Sequence, residues 1–277
     1  MVELLPEGDQ LRAARALATL DDVGLGDHVC WRLDPASALL ADTRAFVADG
    51  ALHGDKIVVL GGVDSTTGLT PGAVPSDSVI LDFSPVADTA AVLAAVRRET
   101  RTALRQGFRS VRVLTERLPR PATAGVEELL DQELKLDQFA SESGAIVVCA
   151  FRPSQWRGPT LEHMACVHPH EVGIRAERPA FRMFSTGADS WSVDGVVDSD
   201  CAAAFSAAVR AAIMQTPSMT LRFDTLELID AAGMRALVDA ARRLPAGSIV
   251  VEGANDTVRL GWELAGYQAT DSVVMSA

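Results

Sequence analysis

Between residues 55 and 152, short apolar runs alternate with longer segments that repeat at helical spacing. "KIVVLGG" from Lys56, "SVILDFS" (78–84), "SVRVLTE" (110–116) and "AIVVCAFR" (145–152) are β-branched runs of strand length. Each predicts a buried strand. The intervening stretches 86–106 and 123–141 predict helices of a dozen residues or more. This rhythm implies a mostly parallel sheet with helices on both faces. Upstream, Leu11, Ala14, Leu17 and Ala18 lie at helical spacing within residues 1–20, and 36–50 predicts a further helix stopped by Gly50 and Gly54.

The rhythm fails in "RPSQWRGPTLEHMACVHPHEVGIRAERP", which holds four prolines and no strong strand pattern. A domain boundary is expected at its end, near 178–182, giving units 1–178 and 179–277. The second unit reads β-β-α-β-α-β-α: "FRMFSTG", "SWSVDGVVD", a helix over 199–214, "MTLRFDTLELI", a helix over 231–244, "SIVVEG" and a helix over 256–265. The fold class expected is α/β twice over, with a large parallel unit followed by a small one.

Composition narrows the function. A formal net charge of −12 with no basic patch disfavours a grip on nucleic-acid phosphates. No apolar run reaches the roughly 18 residues a membrane span needs, and the acidic N-terminus lacks the order of a signal peptide. A cytoplasmic protein with no membrane partner is expected. Cys30, Cys149, Cys166 and Cys201 are too scattered for a disulfide framework. "GGVDSTTG" stands where a phosphate loop would, yet no lysine follows Gly68, so ATP hydrolysis is not expected. With no nucleophile elbow and no His-Glu-x-x-His either, the chain does not read as an enzyme.

Two candidate sites remain. In "LRFDTLELIDAAGMRALVDAARRL", Asp230 is placed to cap a helix whose apolar face is Met234, Leu237, Val238, Ala241 and Leu244. With "WSVDGVVDSDCAAAFSAAV" and "SIVVEGANDTVRLGWELAGY", this segment resembles the STAS family of sulfate transporter and anti-sigma factor antagonist domains. The resemblance implies a partner-binding turn at Asp230, Ala231, Ala232, Gly233 and Met234, and an anti-sigma factor or similar serine kinase as partner. In soluble members the turn is typically Asp-Ser-Ser/Thr-Gly, and the first hydroxyl is phosphorylated. Here Ala231 stands at that position and cannot carry phosphate.

The other candidate draws on "GDHVCWRL" (26–33), "FVADGALHGDKIVVL", "EELLDQELKLDQF", "IVVCAFR" and "HMACVHPHEV". These resemble the MEDS family, a methanogen/methylotroph sensory domain regarded as a RecA-like ligand sensor. The resemblance implies a small-molecule site, for which His28, Cys30, Glu133, Cys149 and His168 are the candidates. The density of His163, Cys166, His168 and His170 also offers ligands for zinc or another transition ion, but at no standard spacing, and Pro169 forces His168 off any helix carrying the first two. A polar ligand pocket is therefore favoured over a bound metal, and no cofactor is expected. The reading that follows is a sensory domain coupled to a non-phosphorylatable STAS domain. Its alternative is a degenerate nucleotide-binding or metal-dependent enzyme with a STAS appendage.

Overall fold

The computed structural model describes residues 12–33, 39–61, 74–83, 88–119, 125–156, 159–173, 179–216, 218–244 and 248–276. The first unit contains β1 (Arg15–Ala16), β2 (His28–Arg32), α1 (Leu39–His53), β3 (Asp55–Leu60), β4 (Val79–Leu81), α2 (Thr89–Arg105), β5 (Ser110–Arg117), α3 (Val126–Ser143), β6 (Ile146–Phe151), α4 (Thr160–Cys166) and β7 (His170–Gly173). The strands form one seven-stranded sheet in the order β1-β7-β2-β6-β5-β3-β4, and all the pairings are parallel.

Successive side chains of these strands point to opposite faces, and both faces are covered. Val29, Trp31, Ile57, Val59, Val148 and Ala150 pack with Phe46 and Val47 of α1. Cys30, Val58, Val113 and Cys149 pack with α2, α3 and α4. Burial on both sides is why the strands read as unbroken apolar runs rather than alternating ones.

The second unit contains β8 (Phe181–Gly187), β9 (Ser190–Val197), α5 (Ala202–Ile213), β10 (Met219–Arg222), β11 (Leu226–Ile229), α6 (Ala231–Ala241), β12 (Ile249–Glu252), α7 (Asp256–Leu264) and β13 (Val273–Met275). Its sheet runs β11-β9-β10-β12-β13, with β8 antiparallel to β9. Helix α3 of the first unit packs on α5 and β8 of the second. One apolar cluster therefore runs from Cys30 and Leu130 through to Phe205 and Trp191 without interruption.

Several expectations need correction. From residue 12 onward there is no N-terminal helix: Arg15–Ala16 adds to the sheet edge, where Leu17 N–H donates to Glu171 O at 2.8 Å, and a 3-10 turn follows at Leu20–Asp22. Edge pairing overrode a local helical pattern. Leu11 lies outside the described residues. Gly50 does not stop α1 but sits inside it, where a Cβ would come within 2.8 Å of Arg112 Cδ; the helix ends before Gly54, which has φ +76°. The proline-rich stretch does contain a helix, α4, and a strand, β7. "MTLRFDTLELI" is two strands, β10 and β11, which pair with different halves of β9. Of the expected unit boundary at 178–182, residue 178 lies outside the described residues, as do 62–68 of the glycine-rich loop. Among the described residues, no helix is long and apolar enough to cross a membrane.

Candidate functional site

Strand β2 directs His28 and Cys30 to the same sheet face, and the β2–β6 register sets Cys149 beside Cys30. Helix α3 lies over this face and brings Glu133 and Asp137, one turn apart, down onto it. Helix α4 ends at Cys166, and the chain then delivers His168 just before Pro169. His168 Nδ1–H donates to Met164 O at 2.7 Å, which fixes the ring and leaves Nε2 facing inward.

Four side chains converge there, all fully buried: His28, Glu133, Cys149 and His168. Glu133 Oε2 is 3.6 Å from His28 Nε2, 3.5 Å from His168 Nε2 and 3.3 Å from the Cys149 Sγ that donates to it. His28 Nε2 is 3.4 Å from Cys149 Sγ. The two imidazole centroids are 4.0 Å apart. The other Glu133 oxygen, Oε1, is ion-paired with Arg117 Nη2 at 2.6 Å.

Asp137 extends the cluster outward. Its Oδ1 lies 3.6 Å from His28 Nδ1 and accepts from Arg12 Nη2 at 3.0 Å, and its Oδ2 accepts from the backbone N–H of Ser185 in β8 at 2.6 Å. A carboxylate of the first unit thus binds both the cluster and the second unit. Arg182, also in β8 and almost fully buried, donates to His168 O at 2.8 Å and pairs with Glu171 at 3.3 Å, while Glu171 also accepts from Arg32.

Burial opposes every charge in this region; neighbours outweigh it at Glu133, Asp137 and His28, and it prevails at His168. For Glu133, burial would raise the pKa, but the Arg117 charge and the contact with His28 hold the carboxyl well below its usual range. Burial likewise works against Asp137, and Arg12 with His28 brings it down to about 2. His28 is raised despite burial, by Asp137 and Glu133. His168 is lowered to about 4 by burial and by repulsion from His28. Near neutral pH His168 is therefore uncharged. With its proton on Nδ1, its bare Nε2 has no hydrogen-bond partner and faces the Glu133 carboxylate.

Of the ligand candidates, Cys30 stays outside this convergence. It is buried, and its thiol is pushed up by burial and by Glu171. Of the residues between 163 and 170, only His168 takes part. His163 is half-buried on α4, Cys166 lies toward Cys201, and His170 Nε2 pairs with Asp27 Oδ1 at 2.9 Å. Asp137, Arg117, Arg12 and Arg182 did not emerge from the sequence. A signal existed for Asp137: with Glu133 it places two acids at i and i+4 among Leu130, Leu134 and Ala140, on the face of α3 that is buried.

At the second candidate, Asp230 caps α6 as expected. Its Oδ1 accepts from Ala232 N–H at 2.8 Å and Gly233 N–H at 2.9 Å, and its Oδ2 accepts from Ser199 N–H at 2.9 Å. Ala231 is exposed and Ala232 half-buried, whereas Gly233 and Met234 face inward. A Cβ on Gly233 would lie 2.7 Å from both Ile229 Cγ1 and Val197 Cγ1, so glycine there lets the helix start close to the sheet. The surface that the turn offers is Ala231, Ala232 and the rim of Asp230.

The sequence model of the MEDS family, described as the methanogen/methylotroph, DcmR sensory domain, matches residues 27–169, just over half of the 277. The chain belongs to the MEDS family. All four converging residues and Asp137 lie inside the MEDS domain, while Arg12 and Ser185, which grip Asp137, lie on either side of it. Two solved structures also align. The anti-sigma factor antagonist SpoIIAA in its unphosphorylated form has 18% identity, covering 35% of this chain and 89% of its own, at a TM-score of 0.30. The Bacillus cell fate determinant SpoIIAA in the phosphorylated form has 17% identity, covering 35% and 92%, at a TM-score of 0.28. A search of curated proteins gave no match.

Proposed function

We propose that the chain is a cytoplasmic signalling regulator in which the MEDS domain holds an effector at the His28, Glu133, Cys149 and His168 cluster and a STAS-like C-terminal unit carries the result to a protein partner. The observation behind this reading is the double role of Asp137, one turn along α3 from Glu133. It faces His28 and also holds Ser185 N–H of β8. An effector that shifts α3 changes the setting of β8, and it acts only through its difference in affinity for the two arrangements.

The output surface in this reading is the turn at Ala231 and Ala232, and the partner is of the anti-sigma serine-kinase class. With alanine at the acceptor position of the resemblance, input passes through the MEDS site instead of through phosphate on the turn. Substituting Ala231→Glu tests the surface. A carboxylate at the N-terminus of α6 is favoured by the helix dipole by roughly 0.3–1 kcal/mol, so the variant folds. Buried unpaired under a partner, it weakens binding about 50-fold or more. Calorimetry with purified anti-sigma serine kinases from the same organism measures this, with and without ATP. The wild-type complex should persist in ATP. A folded Ala231→Glu variant of undiminished affinity would exclude the turn as the docking surface.

A further inference from the structure

His28, Glu133, Cys149 and His168 form more than a polar pocket. Four of the six distances among His28 Nε2, His168 Nε2, Cys149 Sγ and Glu133 Oε2 are 3.3, 3.4, 3.5 and 3.6 Å, and all four atoms lie within 4.8 Å of one another. A tetrahedron with edges of about 3.5 Å has its centre ~2.1 Å from each corner, against about 2.0–2.1 Å for Zn–N and about 2.3 Å for Zn–S.

The outward atoms face the groups that orient metal ligands, with His28 Nδ1 at 3.6 Å from its carboxylate just beyond hydrogen-bond reach. His168 Nδ1–H is held by Met164 O, His28 Nδ1 faces Asp137 Oδ1, and Glu133 Oε1 pairs with Arg117. The inward atoms have only each other. His168 Nδ1 is committed to Met164 O, and the buried Nε2 that points inward has no hydrogen-bond partner while lying 3.5 Å from Glu133 Oε2, an orphaned polar atom that a cation between the two would satisfy.

We infer that these four atoms bind one divalent transition-metal ion of the zinc class, and that this ion is the effector of the MEDS domain. This rests on the sensory reading above. Two imidazoles, a thiolate and one carboxylate select a borderline ion over magnesium or calcium, and four protein ligands close the coordination sphere, as in structural rather than catalytic zinc sites. Binding displaces to solvent the thiol proton of Cys149 and the proton carried on His28 Nε2, and it sets two anionic ligands against the two charges of the ion. It ties Glu133 of α3 to His168, whose carbonyl is held by Arg182 of β8, so occupancy is felt where the two units meet.

The test is anaerobic titration of chelator-treated full-length protein with Co(II), followed by competition with Zn(II). One ion per chain is expected, with the strong visible bands of tetrahedral cobalt and a near-ultraviolet thiolate-to-cobalt charge-transfer band. Cys149→Ser should abolish the charge-transfer band. His28→Ala and His168→Ala should each weaken binding by more than about 100-fold, beyond the loss typical of an outer-shell partner. His163→Ala and His170→Ala serve as controls and leave the spectrum unchanged. Absence of saturable binding, a weak octahedral spectrum, or a charge-transfer band that survives Cys149→Ser would overturn the site, and none of these depends on a variant folding except the last. The effector role is read separately, as a Zn(II)-dependent change of at least about fivefold in kinase affinity. A bound tetrahedral ion with unchanged partner affinity would leave the site standing and remove the sensory reading. No ion with an intact partner response to His168→Ala would do the reverse.

Discussion

Asp137→Ala should cost about 3–5 kcal/mol of folding stability, because truncating one member of a buried ion pair leaves its partners desolvated. The Ser185 N–H loses its acceptor at 2.6 Å, His28 Nδ1 loses its facing carboxylate, and Arg12 loses its counter-charge while keeping hydrogen bonds to the carbonyls of Gly26 and Ser185. Asp137→Asn retains an oxygen for Ser185 but not the charge, and should fall between wild type and alanine. Urea unfolding gives the comparison, read as a lower midpoint at unchanged slope. Faster amide exchange at Ser185 in the alanine variant would tie the loss to this bond rather than to α3 at large. A deficit under about 1 kcal/mol would show that Asp137 does not fasten the units.

Gly195→Val is the other severe substitution, at about 3 kcal/mol or more. Gly195 has φ +92°, and a Cβ there would stand 2.4 Å from Ala180 O, a backbone atom that no rotamer change can move aside. It sits in β9 between Phe181 of β8 and Leu226 of β11, so the added side chain would prise away the strand that carries Arg182 and Ser185. Gly54→Ala is the internal control: φ is +76°, but nothing lies within 4 Å of the added carbon, leaving backbone strain alone. Thermal melts that show equal losses for the two variants would mean that close approach at Gly195 is not what excludes a side chain.

The elements that could be read from the sequence are those whose burial is apolar. "KIVVL", "SVRVL" and "AIVVCAF" announce β3, β5 and β6 because both their faces meet helices. β7 stayed hidden because its "HEVG" carries His170 and Glu171, buried by pairing with Asp27, Arg32 and Arg182 rather than by apolar contact. A hydrophobicity pattern has no means of registering burial by charge pairing. The same limit applied at the site. His28, Cys149, Glu133 and His168 were named because the MEDS motifs contain them, while Arg117 belongs to none of those motifs and Asp137, although it stands in "EELLDQELKLDQF", has no polarity that sets it apart from the other acids of that segment. Arg12 and Arg182 come from outside the MEDS match altogether, and only the packing of β8 and α3 brings them in.

The apolar cluster that runs unbroken from the first sheet to the second has a consequence for how this chain can be cut or recombined. Helix α3 is covered on one side by its own sheet and on the other by α5 and β8. A fragment stopping before β8 would bare the outer face of α3 along with Arg12, Asp137 and Glu171 stripped of their cross-unit contacts, a surface prone to self-association. Grafting a foreign domain in place of residues 179–277 would fail for the same reason unless the graft rebuilt that covering. The two halves share a wall, so any cut or graft has to keep or rebuild both of its sides.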